Sequence, residues 1–304
     1  MIITPNSVTA LFRNFRQEFD QAFTIAESAW DKVAMRVPSS TKGNTYGWLG
    51  QFPQFREWVG DRVVKDMQAH AYTLDNKTWE STFGISRDDM EDDNLGIYSP
   101  IVQEMGRAGK VFPDETLVFP LFGLGESEAC YDGQNFFDTE HPVYANVDGT
   151  GAETLVSNMD VPGADPGPRW YLLDTSRAVR PFIFQERRKV AFRQMTRMDD
   201  EQVFTSNQFR FGADARGAGG FGLWQLAYMS RQPLNADNFR AAYDAMRAFK
   251  ADGGRPLGIK PTHLVCDTSQ ELAADKVVNV DRLDNGSANP NFKKVSVLAT
   301  PWLN

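Results

Sequence analysis

Residues 83–142 read FGISRDDMEDDNLGIYSPIVQEMGRAGKVFPDETLVFPLFGLGESEACYDGQNFFDTEHP, and the remainder of the chain is arranged around them. Ile85 alternates with polar neighbours as a strand residue does. Asp88, Asp89, Glu91, Asp92 and Asp93 then crowd against the start of a helix, where the positive end of the helix dipole favours anions. Ser99 is the expected cap, and Pro100 suits the first helical position. Ile101, Val102, Met105 and Ala108 recur at helical spacing, and Pro113 with Asp114 and Glu115 resembles a second start signal. The pattern predicts a long rod over about 97–124, kinked or broken near Pro113. A polar, turn-rich loop follows from Cys130 to Tyr144.

Upstream, Phe12, Phe15, Phe19 and Phe23 recur at spacings of three and four after Pro5 and Ser7, a candidate cap, and Ala26 and Trp30 extend the stripe. Such a helix docks either on the chain's own core or on a neighbouring subunit, in which case Phe15 and Phe19 are contact residues. From Val37 to Trp58 the chain becomes glycine- and proline-rich and strews Tyr46, Trp48, Phe52, Phe55 and Trp58 without a period of 2 or 3.6. A stretch like this cannot close its own core and serves as a flap or strap. Val63–Val64, His70–Leu74, a turn at Asp75–Asn76 and Trp79 predict a hairpin, so 45–82 reads as a projecting strand-and-loop element.

Downstream, PGADPGP at 162–168 is the clearest loop. Strands are expected at 170–173, 181–184, 190–192, 203–204 and 209–211, and a glycine-rich turn at 216–222. Between Arg177 and Arg197 lie seven basic residues and one acid, Glu186, which makes this region locally positive. Asp237 opens a helix with Phe239, Ala242, Tyr243, Met246 and Phe249 on one side, ended by Gly253–Gly254. A strand at 262–266, a helix from Thr268 or Ser269 to Val278 and a strand at 294–298 complete an α/β unit.

Composition excludes several classes. A 304-residue chain can bury a sizeable core. Its net charge of −8 argues against a dedicated nucleic-acid binder. Two cysteines supply no disulfide framework and suit a reducing compartment. No apolar run approaches the roughly 18 residues that span a bilayer. The aromatic content, 22 Phe and 7 Trp, exceeds what one core needs and points to subunit contacts.

Catalytic chemistry finds no constellation. Cys130, Asp132, Asp138, Glu140 and His141 are ligand types, but no second His or Cys stands at zinc spacing, and a polar turn explains them. Gly123–Gly125 and Gly219–Gly222 lack phosphate-loop spacing. His263 and Cys266 project to opposite faces of one strand, and GxSxG is absent. The run 88–93 lacks EF-hand spacing. No catalytic, cofactor-binding or metal-ligating residues are expected.

Six blocks carry a resemblance: WLGQFPQFREWVGDR at 48–62, ISRDDMEDDNLGIYSP at 85–100, CYDGQNFFDTEHPV at 130–143, WYLLDTSR at 170–177, FGADARGAGGFGLWQLAYMS at 211–230 and GRPLGIKPTHLV at 254–265. In this order they resemble the Mu-like prophage major head subunit family, the gpT-like major capsid proteins. The resemblance implies an α+β, HK97-like capsid fold with no enzymatic activity and no cofactor. It implies an N-terminal arm at 1–44 and an E-loop at 45–82. A P-domain with a spine helix then occupies 83–230, and an A-domain 231–304.

It also implies many copies assembling as hexamers and pentamers into an icosahedral shell around double-stranded DNA. Portal, scaffold and decoration proteins would be partners, DNA contact non-specific, and synthesis in the host cytoplasm. Expected inter-subunit contacts are Trp48, Phe52, Phe55 and Trp58, with Asp92 and Asp93 of one copy facing Arg187, Arg188 or Lys189 of another. A tail or decoration protein is the alternative within the virion, and a hydrolase the alternative outside it.

Overall fold

The computed structural model describes residues 4–50, 72–92, 95–164, 166–196, 201–283 and 285–303. Helix α1 (Pro5–Ile25) starts at Thr4, whose hydroxyl accepts the Ser7 N–H at 3.1 Å while the Ser7 hydroxyl accepts the Thr4 N–H at 2.9 Å. The cap is therefore Thr4, and Ser7 is its reciprocal partner. Trp30 does not extend α1. It opens a separate turn, α2 (Trp30–Val33), and its ring packs on Phe184 with centroids 4.7 Å apart.

Next come β1 (Ala34–Pro38), β2 (Gly43–Tyr46), β3 (Tyr72–Asp75), β4 (Lys77–Ser86) and the short α3 (Arg87–Glu91). The acidic cluster thus begins α3, capped by Ser86, and not the rod. The rod is α4 (Ser99–Phe112), a π-helical turn over Pro113–Val118 and α5 (Pro120–Leu124). Ser99 does not cap it; its hydroxyl donates instead to Glu18 on α1 at 3.1 Å.

Pro113 has no N–H to give and its ring crowds the preceding turn. The chain absorbs this by widening, and the Phe119 N–H reaches the Asp114 carbonyl five residues back at 3.2 Å. The rod is continuous, neither broken nor restarted. Asp114, expected as a start signal, is buried and accepts the backbone N–H groups of Ala29 at 2.9 Å and Trp30 at 2.7 Å, fixing the start of α2.

After β5 (His141–Tyr144), β6 (Glu153–Val156), β7 (Met159–Asp160) and β8 (Trp170–Leu173) come two 14-residue strands, β9 (Phe182–Met195) and β10 (Gln208–Phe221). Between these two, α6 (Glu201–Ser206) occupies the expected strand at 203–204. The expected glycine turn at 216–222 is largely β10 itself. Its glycines let other backbone pass close, and a Cβ on Gly219 would lie 1.9 Å from the Leu117 carbonyl oxygen of the π turn. Last are β11 (Ala227–Ser230), α7 (Ala236–Arg247), β12 (His263–Cys266), α8 (Glu271–Val278) and β13 (Ser296–Ala299). Asn235, not Asp237, caps α7.

Two main sheets result. One has the order β1-β9-β10-β4, with β1 parallel to β9 and the other pairs antiparallel. The other has the order β13-β12-β8-β11-β7. Its strands come from both sides of residue 231, so the C-terminal α/β unit shares its sheet with β8 and β11. Two-stranded ribbons β2–β3 and β5–β6 stand apart. Residues 62–71 of the expected hairpin lie outside the described residues, and its described part is corrected, because β3 pairs with β2 while β4 pairs with β10.

The buried side chains form two clusters. The larger runs from the four-stranded sheet's β9 end through Phe122, Phe136, Phe182 and Phe221 to Trp170 of the five-stranded sheet and Trp224 just before β11. The smaller lies where α1 crosses α4 over the far end of β9, β10 and β4. Gly106 allows that crossing, since a Cβ there would sit 2.4 Å from the Phe19 carbonyl. Phe15 and Phe19, 2% and 3% exposed, fill this cluster against Phe211 and Phe192. They are corrected from neighbour contacts to residues of the chain's own core.

Candidate functional site

Three groups of polar and aromatic residues lie outside simple core packing. The first lies where β2 and β3 meet the four-stranded sheet. Gln185, wholly buried within the apolar run of β9, accepts from the Tyr46 hydroxyl at 2.6 Å. Its amide donates to the Leu74 carbonyl and to Asn76 Oδ1, both at 2.9 Å. One side chain thus ties β2, β3 and the following turn to the four-stranded sheet. Burial pushes the Tyr46 hydroxyl up to about 12, so it remains a donor. Tyr72 adds a second tie by accepting the Phe221 N–H at 3.1 Å.

Trp48 is half-buried and meets Tyr46 edge-on at 6.2 Å, so it packs back on β2 of its own chain. Phe52, Phe55 and Trp58 lie outside the described residues. Tyr46 and Gln185 went unread in the sequence. The available signal was a lone glutamine inside the apolar FIFQ of β9, since a buried amide must find partners.

The second group is charged. Asp88, Glu91 and Asp92 are exposed on and after α3, whereas Asp89 accepts from the Tyr98 hydroxyl at 2.6 Å and is held below its ordinary pKa by that bond. Asp93 lies outside the described residues. Arg187, Arg188 and Lys189 form an exposed run in the middle of β9. Within the chain Arg188 pairs with Asp214, and Arg187 reaches the Ser39 carbonyl at 3.4 Å. The acidic turn lies past one end of the sheet and the basic run in the middle of β9, and the structure does not bring them together within a subunit.

The third group is the turn 130–141. Candidate ligand atoms of Cys130, Asp132 and His141 lie within 4.8 Å of one another. Asp132 Oδ2 accepts from His141 Nδ1–H at 2.8 Å, and Oδ1 accepts from the Cys130 thiol and the Gln134 N–H, each at 3.1 Å. Burial pushes the Cys130 thiol far up, so it is a neutral donor. The imidazole lies flat on Trp224, 4.0 Å between centroids. Asp138 turns away to accept the backbone N–H groups of Thr139 at 2.7 Å and Glu140 at 3.2 Å. These bonds make the cluster a structural plug between the rod's end and the five-stranded sheet.

At the Cys266–His263 pair, rejected above as a dyad, Cys266 is fully buried and His263 is shared between Thr175 and Thr262, each at 3.0 Å. Neither touches the other's reactive atom.

Comparison with known proteins places the chain among viral shells. The sequence model described as "Mu-like prophage major head subunit gpT" matches residues 8–303. The chain is 52% identical over 287 residues to the major capsid protein of Escherichia phage Mu, covering 94% of both. It is 44% identical over 299 residues to the Mu-like prophage FluMu major head subunit of Haemophilus influenzae, covering 97% of this chain and 96% of that one. Among solved structures it matches the procapsid of bacteriophage JBD30 with a TM-score of 0.87 and 56% identity, covering 99% of this chain and 100% of that one. For the JBD30 capsid the TM-score is 0.79 with 41% identity, and both chains are covered completely.

Proposed function

The chain belongs to the Mu-like prophage major head subunit gpT family, and from that premise we propose that its copies close as hexamers and pentamers into an icosahedral shell around double-stranded DNA. It is the major capsid (head) protein of a Mu-like phage, resides in the virion capsid, and has a structural and not a catalytic role. Its α+β architecture is the HK97-like capsid fold, and its copies self-assemble into the capsid lattice. Likeness over nearly the full length to a procapsid chain is the observation that carries the reading.

The finer assignments follow the elements. Residues 1–44 form the N-terminal arm, with α1 folded back on the rod. Residues 45–82 form the E-loop, which lies over a neighbouring subunit and is held at its base by Tyr46 and Gln185. β9, β10, the last residues of β4 and the rod form the P-domain, with β1 of the arm and the start of β4 lending strands to its sheet. The A-domain takes 231–304 together with β8 and β11, a division supported by the sheet these strands share. Phe52, Phe55 and Trp58 are the E-loop's anchors on the neighbour, while Trp48 braces its root.

Portal, scaffold and decoration proteins complete the particle, and the subunit is made in the host cytoplasm. A net charge of −8 keeps contact with packaged DNA weak and non-specific, as ejection requires. Electron microscopy of the purified full-length chain tests the reading. Closed shells are expected; tubes, rings or persistent monomers would count against it. Deleting 45–60 should abolish shells, and shells that survive the deletion would remove the E-loop assignment.

A further inference from the structure

The four-stranded sheet carries an acidic turn past one end and a cluster of cations near the middle of β9 and β10. β4 and β10 pair from Ser86–Gln208 to Thr78–Arg216, so the acidic turn 88–92 and Arg216 stand eight strand residues apart, about 27 Å. Beside Arg216 a crevice of about 380 Å³ opens between α1, α2, β1, β9, β10 and the last turn of α4, lined by five cations and by the carboxylates Asp31 and Glu186.

Arg188 and Arg216 are register partners across β9 and β10, a like-charge pairing that destabilises a sheet left to itself. Arg188 is neutralised by Asp214, and Arg36 by Glu186. Arg216 has no such relief: its Nε is buried without a hydrogen-bond partner among the described residues. Lys189 lines the same crevice with no ion pair among the described residues. Lys110 adds a third cation, held over the Phe23 ring at 5.6 Å. A buried guanidinium N–H left unpaired is costly, and a carboxylate placed there gains charge-assisted hydrogen bonds. Departures from local electrostatic consistency mark functional positions.

We propose that this crevice is a carboxylate-binding site filled by a second copy of the chain, whose turn 88–92 brings Asp92 and Asp88 to Arg216 and Lys189. The inference rests on the lattice-forming reading above and states which two surfaces of the subunit meet. DDMEDD is the densest acidic run in the sequence, and Asp88, Glu91 and Asp92 are exposed. The strand length between the turn and the crevice prevents one copy from filling its own crevice. Joining two different surfaces is a heterologous contact, which repeats head to tail and closes into rings when the rotation allows.

Arg216→Glu, Asp92→Arg and their combination test this in the full-length chain, with assembled fraction read by sedimentation and electron microscopy. Each single change is expected to lower assembly at least about tenfold, and the combination to recover to within about threefold of wild type. A combination no better than the worse single change overturns the proposal, as do single variants that assemble like wild type. Arg216→Gln guards against misfolding: with wild-type thermal unfolding it should still lose assembly, and intact assembly overturns the proposal. Unchanged assembly with reduced DNA retention would assign the crevice to phosphate, which also overturns it. Wild-type chain that forms no shells at any salt concentration refutes the capsid reading itself, a result separable from all of these.

Discussion

The smaller core packs Phe15 and Phe19 of the N-terminal helix α1, crossed by α4, against Phe192 and Phe211, whereas the larger core surrounds Trp170 and Trp224 with strands from four parts of the chain. Both are rich in rings, yet they are closed by different means. In the smaller core the lid is one amphipathic face whose seal is apolar contact, with Gly106 letting the backbones of α1 and α4 meet. In the larger core buried polar groups act as pins. Gln185, Asn158 and Asp174 are each fully buried, and each is hydrogen-bonded to backbone or side chains of distant segments. Apolar seals tolerate sliding and release; pinned polar networks admit one arrangement.

Phe15→Ala puts the largest strain on this contrast. It removes a ring that meets Phe211 edge-on at 5.4 Å and Phe83 at 6.4 Å, for a loss of about 4 kcal/mol. Among the described residues every tryptophan belongs to or packs against the larger core, so in a Trp58→Phe background fluorescence reports that core. The expected outcome is that far-ultraviolet circular dichroism loses helix at lower denaturant while the fluorescence midpoint stays near wild type. If both midpoints fall together, the two cores are one cooperative unit and the contrast fails.

Gly219→Ala approaches it from the other side. The added methyl would lie 1.9 Å from the Leu117 carbonyl oxygen, a backbone atom of the π turn that cannot step aside. A loss of about 3 kcal/mol is expected, seen first in fluorescence. A shift within about 0.5 kcal/mol of wild type would mean that the π turn can relax, and that Pro113 does not impose it.

What the sequence disclosed follows the same division. The smaller core was legible because its lid is local: four phenylalanines at helical spacing name a buried face without knowledge of what covers it. The composition did not say whose core that face meets, and Phe15 and Phe19 could equally be read as contacts to a neighbour. The rod was legible for the same reason, but Ser99 was misread because capping rules know only neighbours in sequence, and its partner, Glu18, is far away.

The larger core was hidden because its sheet is assembled from strands distant in sequence. The expected boundary at 231 therefore cut between β11 and β12. The candidate contact surface was legible in charge, as an acidic run and a basic run. Arg216 was missed because only the β9–β10 register reveals that it stands opposite Arg188. Fold and family were carried by the six ordered blocks, beyond what periodicity alone supplied.

Asp132→Asn tests whether the polar pins matter as argued. Burial pushes the Asp132 carboxyl up, but hydrogen bonds from His141, Cys130 and Gln134 outweigh burial and leave it below its ordinary pKa. A carboxyl whose pKa is depressed in the folded state stabilises fully above its unfolded value of about 3.9 and loses that contribution as pH falls through the folded value. Wild-type stability read by fluorescence should therefore decline below about pH 4. The variant should lose about 2 kcal/mol at neutral pH and lack this acid-range component. An unchanged acid slope would place the titration elsewhere and leave the plug without electrostatic weight.

The smallest effect separates a cap from a clasp. Ser99 Oγ donates to Glu18 Oε1 at 3.1 Å, while Glu18 Oε2 is buried with no hydrogen-bond partner among the described residues, so this one bond ties α1's middle to α4's first turn. Ser99→Ala should cost about 1 kcal/mol, the same size as losing a helix cap, so magnitude cannot distinguish the two roles. A double-mutant cycle can. If Ser99 clasps the lid, adding Ser99→Ala to Glu18→Gln costs less than the sum of the two, with a coupling of at least about 0.5 kcal/mol in the helix-monitored transition. Strict additivity would return Ser99 to a purely local role and leave α1 sealed by its apolar face alone.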